Sequence, residues 1–303
     1  LLPPYLATKA IRNFFALLMG QDTSLIDAQT LAMHLGEPGW VVLDCRFDIA
    51  DSNAGWQAYG REHIPGAFYA HLDADLSDLG RSGMGRHPLP DPGVFAAILG
   101  RYGIDSSTQV VCYDDAGGAL AAARAWWLLR ACGHPRAAVL DGGWTAWRRA
   151  GRPVAADKST HRIGDYPVHW NARSVVTDAD ELASALEAGD IVLIDARAAP
   201  RFRGEVETLD AKAGHVLGAI NRPFTDNLNG SGCFKSAESL RAEFDALTNG
   251  RDPTDVVHMC GSGVTALHNL LAMEYAGLSG SRLFAPSWSG WISDPTRPVA
   301  TGS

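Results

Sequence analysis

The stretch TQVVCYDDAGGALAAARAWWLLRACG, residues 108–133, returns in altered form as TDVVHMCGSGVTALHNLLAMEYAG, residues 254–277. Each copy opens on a β-branched apolar run, turns at glycines and continues into an amphipathic Ala/Leu-rich segment. That is the signature of a strand, a tight loop and a helix. The echo extends in both directions. WVVLDCRFD (40–48) matches DIVLIDARAA (190–199), each ending in Asp-x-Arg: Asp44 and Arg46, then Asp195 and Arg197. REHIPGAF (61–68) matches AGHVLGAI (213–220) around His63 and His215, and VLDGGWTAWRRAGRPV (139–154) matches LFAPSWSGWISDPTRPV (283–299). The order of features agrees throughout, so the chain is written twice.

Short Val/Ile/Leu runs that alternate with helical stretches predict an α/β fold, with a mostly parallel sheet flanked by helices in each half. AADKSTHRIGDYPVHWNARSV (155–175) has no periodicity and reads as a connection. The expected division is an N-terminal arm over 1–22, a first domain over 23–155, a linker over 156–173 and a second domain over 174–303. Asp178 is placed to cap a helix over 178–189. A cleft between the halves is the default location of a site.

Composition narrows the function. The 303 residues carry a net charge of −8 and 46% hydrophobic residues, with no block of Lys or Arg. Nucleic acid and anionic membrane are thereby excluded as main partners, whereas a small anionic substrate is not. The five cysteines (45, 112, 132, 233 and 260) are odd in number and lack CxxC spacing. This argues against a disulfide framework or a zinc ribbon and for a reducing, cytoplasmic setting. The opening LLPPYLATKAIRNFFALLMG is interrupted by Lys9, Arg12 and Asn13, too broken for a membrane span and a poor export signal. A monomer or weak dimer is expected.

The two copies differ where chemistry would lie. Aligning Val110-Val111 with Val256-Val257 sets Asp114 opposite Cys260. One half has a thiol at the strand end, and the other has a carboxylate that cannot perform the same nucleophilic chemistry. After Cys260 come Gly261, Ser262 and Gly263, then a helix expected from Val264 to Tyr275. Glycines let successive N–H groups turn inward, and the helix N-terminus points at the same place; both stabilise a thiolate. Taken alone, such a junction is more often packing than catalysis; the degenerate copy at Asp114 tilts the reading to a nucleophile. The other four cysteines are read as structural. A cysteine-phosphatase loop would need an arginine six residues on, where this chain has Ala266, so phosphoryl transfer is disfavoured.

The Asp-x-Arg, His-x-x-Gly-Ala and Cys-loop series over about residues 24–300 resembles the tandem rhodanese-domain sulfurtransferases. CGSGVT (260–265) is similar to the loop of the 3-mercaptopyruvate-specific members; thiosulfate-specific members usually carry two basic residues there. The resemblance implies two tandem rhodanese-like domains, the first inactive, and a Cys260 that takes sulfur from a small anionic donor as a persulfide. A thiol, thioredoxin or cyanide then accepts it, with no metal and no cofactor. It further implies catalytic roles for Ser262, His87 (from GRHPLP, 85–90) and Asp73, with Asp75 as the alternative acid. Donor binding falls by resemblance to Arg201 of APRFRGE, with Gly261, Gly263, Val264 and Thr265. The family's second carboxylate-binding arginine has no counterpart: Asp210 lies near its place, so donor carboxylate binding is expected either to be weaker or to be borrowed from Arg203 or another residue. Thiosulfate sulfur transfer, or an inert binding module, are the competing readings. Residues recurring in both halves are read as serving the fold, and Trp288 as either pocket wall or core.

Overall fold

The computed structural model describes residues 24–157, 159 and 164–302; the arm expected over 1–22 lies outside them. Two five-stranded sheets form. The first contains β1 (Leu25–Ile26), β2 (Trp40–Asp44), β3 (Phe68–Tyr69), β4 (Gln109–Tyr113) and β5 (Ala137–Leu140), in the order β1-β5-β4-β2-β3. The second contains β6 (Val175–Val176), β7 (Val192–Asp195), β8 (Ile220–Asn221), β9 (Val256–Met259) and β10 (Arg282–Phe284), in the order β6-β10-β9-β7-β8. This is the first order repeated five strands later, and every pairing is parallel. Parallel neighbours require crossovers, which the helical segments between the strands supply. The α/β class and the internal repeat expected from the sequence are both present.

Side-chain alternation along the strands sorts the core into three parts. Val110 and Cys112 join a large apolar cluster that also holds Val256, Cys260, Leu267 and Leu271, so this cluster belongs to both halves. Val111 and Tyr113, one residue out of phase, pack with Leu31 and Trp147 on the outer face of the first sheet. Val257 and Met259 do the same with Trp288 and Trp291 on the outer face of the second. With a period of two, the residue after β9 emerges toward the opposite half. That residue is Cys260. The helices Ala121–Ala131 and Ala266–Tyr275 pack against one another across this boundary.

Residues that recur in the repeat brace corresponding loops. Arg46 Nη2 donates to Asp44 Oδ2 at 2.6 Å and to the Glu62 carbonyl at 2.6 Å. Arg197 Nη2 donates to Asp195 Oδ2 at 2.7 Å and to the Gly214 carbonyl at 2.7 Å. Each guanidinium lies 4.6 Å from a tryptophan ring centroid, Trp144 in one half and Trp288 in the other. His63 stacks on Tyr59 and His215 on Phe202. Trp288 is wholly buried and its indole N–H donates to the Lys212 carbonyl at 2.9 Å, so it is core and not a wall of the cleft.

Two boundaries bear on the site. The helix after Cys260 starts at Ala266, two residues later than the periodicity suggests, because residues 260–265 are used by the loop. Asp178 caps the helix Ala179–Glu187 as expected, accepting the N–H groups of Asp180 and Glu181. The described part of the connection is tied to the first half: the Asn171 N–H donates to the Ala131 carbonyl at 2.8 Å, and the Tyr166 hydroxyl lies 3.1 Å from His134 Nδ1. Among the described residues no helix is long and apolar enough to cross a membrane.

Candidate active site

Loops after β2, β4 and β9 open onto one cleft of about 600 Å³, lined by residues of both halves. Ligands in open α/β sheets bind at this carboxyl-end edge. Cys260, Gly261, Ser262, Val264 and Thr265 line it, and Arg86 and His87 reach it from the first half. The backbone N–H of Cys260 donates to Ser287 Oγ at 3.2 Å. The carbonyls of Cys260 and Gly261 accept the N–H groups of Trp288 and Ser289 at 3.0 and 2.9 Å. The nucleophile candidate is thus pinned from behind, with its side chain turned to the cleft.

Gly263 does not line the cleft. Its φ is +75°, and a Cβ there would lie 2.6 Å from the Ala285 carbonyl oxygen, so only glycine lets the loop pass under Ala285. Its carbonyl accepts Arg124 Nη1 at 3.0 Å.

The other half shows what such a loop does with a negative side chain. Asp114 is fully buried. Its Oδ1 accepts the N–H groups of Ala116 and Gly118 at 2.9 and 2.8 Å, and its Oδ2 those of Leu120 and Ala122 at 3.0 and 3.2 Å. Burial outweighs these donors and pushes its carboxyl up to about 6. The strand-end residue of this repeat faces a ring of N–H donors, and in the first copy the chain's own carboxylate fills that ring.

Ser262, His87 and Asp73 come together from three separate segments. His87 Nδ1 lies 2.8 Å from Ser262 Oγ, and His87 Nε2 lies 3.4 Å from Asp73 Oδ1. Burial, helped by the nearby Arg124 and Arg86 guanidinia, pulls His87 down to about 4. The ring is neutral at physiological pH. With its Nε2–H toward Asp73, its Nδ1 is left to accept the Ser262 hydroxyl proton. Asp75, the alternative acid, is engaged elsewhere: it accepts the His71 N–H at 2.8 Å and pairs with Arg101 at 3.0 Å.

Arg201, at the end of the helix Ala199–Phe202, reaches the cleft with Glu207 at 2.7 Å and Asp210 at 3.0 Å from its Nη2. Arg203 is turned outward, pairing with Glu205 at 2.7 Å, and does not line the cleft. A second guanidinium is nevertheless present. Arg86 pairs with the other oxygen of Asp210.

The sequence profile of the rhodanese-like domain matches residues 27–150 and again residues 178–294. The chain belongs to the rhodanese-like family. A probable 3-mercaptopyruvate sulfurtransferase of Pseudomonas aeruginosa is 49% identical over 283 residues, 93% of this chain and 99% of that one. A putative thiosulfate sulfurtransferase of Mycobacterium tuberculosis, SseB, is 39% identical over 282 residues, 92% of this chain and 97% of that one. The crystal structure of SseA from Escherichia coli, described as a 3-mercaptopyruvate sulfotransferase, superposes with a TM-score of 0.77 at 31% identity, covering 88% of this chain and 99% of that one. These relatives share sulfur transfer and differ in the donor they are named for.

Two residues of this chain escape sequence reasoning. Arg124 is fully buried and donates to the carbonyls of Leu76, Gly263, His87 and Pro88 at 3.0 to 3.2 Å. It thereby joins the Cys260 loop to the segment carrying His87. Burial draws its guanidinium down to about 10, still charged at neutral pH. The one sign of it in the sequence is a lone arginine inside the apolar run ALAAARAWWLL. Arg86 stands beside His87 in GRHPLP, but nothing local shows that it crosses to the other half.

Proposed function

We propose that this sulfurtransferase takes its sulfur from 3-mercaptopyruvate and carries it on Cys260 to a thiol, thioredoxin or cyanide acceptor. The observation that supports the reading most is the convergence, in one cleft, of Cys260 with a Ser262–His87 pair 2.8 Å apart contributed by opposite halves. In the first half-reaction the Cys260 thiolate attacks the donor sulfur. The S–S bond forms as the C–S bond breaks, and its electron pair moves to the carbon as the enolate of pyruvate. Ser262 and His87 form a proton path beside the thiol, through which the enolate is protonated and pyruvate leaves. Asp73 orients His87. In the second half-reaction the acceptor removes the outer sulfur and restores the thiolate, a ping-pong sequence.

Donor choice follows charge and shape. Gly261 and Ser262 add no cation beside the thiol, which suits a monocarboxylate better than a dianion. Arg201 holds the donor carboxylate as a planar fork. Gly261, Val264 and Thr265 shape the floor, and Gly263 keeps the loop in place behind it. Thiosulfate is the second reading, favoured by the presence of two guanidinia near the loop.

The test is incubation with each donor followed by intact-protein mass measurement. Mercaptopyruvate should add one sulfur to the wild-type chain and none to Cys260→Ser. A larger kcat/KM for thiosulfate than for mercaptopyruvate with one acceptor would transfer the assignment to thiosulfate. Absence of an adduct with both would leave an inert binding module.

A further inference from the structure

The two arginines of the cleft come from different halves and meet over one residue. A Cβ built on Gly261 would lie 2.9 Å from Arg86 Nη2 and 3.7 Å from Arg201 Nη1. Gly261 is the neighbour of Cys260, so both guanidinia face the space beside the thiol. Arg86 is held there by its backbone N–H, which donates to Ser289 Oγ at 3.0 Å. Gly85 makes the approach possible, since a Cβ at that position would lie 2.4 Å from the Pro286 carbonyl oxygen.

Between them is Asp210. One of its oxygens pairs with Arg86 and the other with Arg201. Its side chain is 3% exposed while that of Arg86 is 28% exposed, so the carboxylate lies beneath a guanidinium that faces the cleft. Glu207 plays a different part. It accepts Arg201 Nη2 on Oε1 at 2.7 Å and the Leu209 N–H at 2.9 Å, which fixes it as a standing counterion.

We propose that Arg86 and Arg201 form one carboxylate clamp spanning the two halves, and that Asp210 occupies it as a built-in carboxylate that sets the donor charge the cleft accepts. The inference rests on the reading of this cleft as a sulfur-donor site. Arg86, Arg201, Glu207 and Asp210 sum to no net charge, and the adjacent Arg197, 3.8 Å from Glu207, is balanced by its own partner Asp195. A planar monocarboxylate replaces Asp210 like for like. A tetrahedral dianion matches the forks less well and adds a second charge beside Glu207 and the displaced Asp210. Burial, with Glu207 adding to it, pushes the Asp210 carboxyl up against the pull of Arg86, Arg201 and Arg197, which eases its displacement. Asp210 is a specificity-determining residue, and Arg86 is the second cation that the sequence lacks downstream of Arg201.

The experiment uses the full chain as wild type, Asp210→Asn and Arg86→Gln, and measures kcat and KM for mercaptopyruvate and thiosulfate with one acceptor. Asp210→Asn should move the kcat/KM ratio toward thiosulfate by about tenfold. Arg86→Gln should raise KM for mercaptopyruvate by about tenfold with kcat held within about threefold. A ratio in Asp210→Asn within about twofold of wild type overturns the proposal. A second measurement needs no turnover and no folded Asp210 variant. Pyruvate should slow alkylation of Cys260 by iodoacetamide in the wild-type protein at concentrations where sulfate does not, and Arg86→Gln should lose that protection. Equal protection by sulfate overturns the clamp. If neither donor yields a persulfide, the functional reading fails by itself, and the alkylation result still decides the clamp.

Discussion

The proposed relay has His87 accept a proton from Ser262, which requires an uncharged ring, and burial draws that ring down to about 4. The sign of the resulting pH dependence is fixed: the ring is competent above that value and lost as pH falls through it. The kcat/KM profile for the sulfur donor should therefore carry no His87-dependent limb near 6.5, where an ordinary histidine would bend it. A limb near 6.5 that disappears in His87→Gln would show that the ring is solvated and charged in the working protein. Residue by residue, legibility is uneven. Cys260 is readable because the chain supplies its own comparison at Asp114. The partnership of His87 with Ser262 comes only from resemblance, since no local pattern links residues on opposite halves. Arg86 is invisible for the same reason, although it is the immediate neighbour of His87.

The loop after β4 keeps the form of its counterpart with a different residue at its head. Its N–H groups are satisfied by Asp114 through four hydrogen bonds, so a carboxylate stands where the other copy has a thiol. Asparagine at this position keeps the volume but turns one acceptor into a donor facing N–H groups. Asp114→Asn should lower stability by about 1–3 kcal/mol, read as a shift of the urea midpoint at unchanged slope. An unchanged midpoint would mean that the loop rearranges freely and that the cradle is not preformed. Elements as such are well marked in the sequence, because strands of β-branched residues and Ala/Leu helices alternate at the right lengths. The start of the helix at Ala266 is less legible. Val264 and Thr265 satisfy the helical period, yet the loop requires them to stay out of the helix and face the cleft.

At the scale of the whole molecule, four buried histidines among the described residues share one behaviour, His134 among them. Burial lowers His87 to about 4, His258 to about 3 and His268 to about 4. Each has a folded value below its unfolded one, so the unfolded chain binds more protons between these values and 6.5, and stability is lost as pH falls through that window. Asp114 acts in the opposite sense, because its folded value is raised to about 6 and its contribution is lost as pH rises from about 4 toward 6. The carboxyls of Asp115, Asp141 and Asp210, raised by burial as well, act with Asp114, and the histidines with their larger shifts outweigh them, so stability falls on going from pH 6.5 to 4. Urea titrations across that range should show the midpoint falling. A flat midpoint would show that the histidines are protonated in the fold. The repeat in the sequence announces two equal halves, and the equal strand orders agree. It does not announce that their largest apolar cluster is common property, because which face of a strand meets another domain is set by packing at a distance.

The close passage of Gly85 against Pro286 carries a consequence for inheritance. That contact brings Arg86 and His87 to a thiol encoded in the other half of the gene. Recombination between members of this family, joining the first half of one to the second half of another, would keep Cys260, Arg201 and Asp210 together but separate them from Arg86, the other arm of the proposed clamp. Donor preference would then depend on both parents, because the clamp works only where the Arg86 of one half fits the Asp210 of the other.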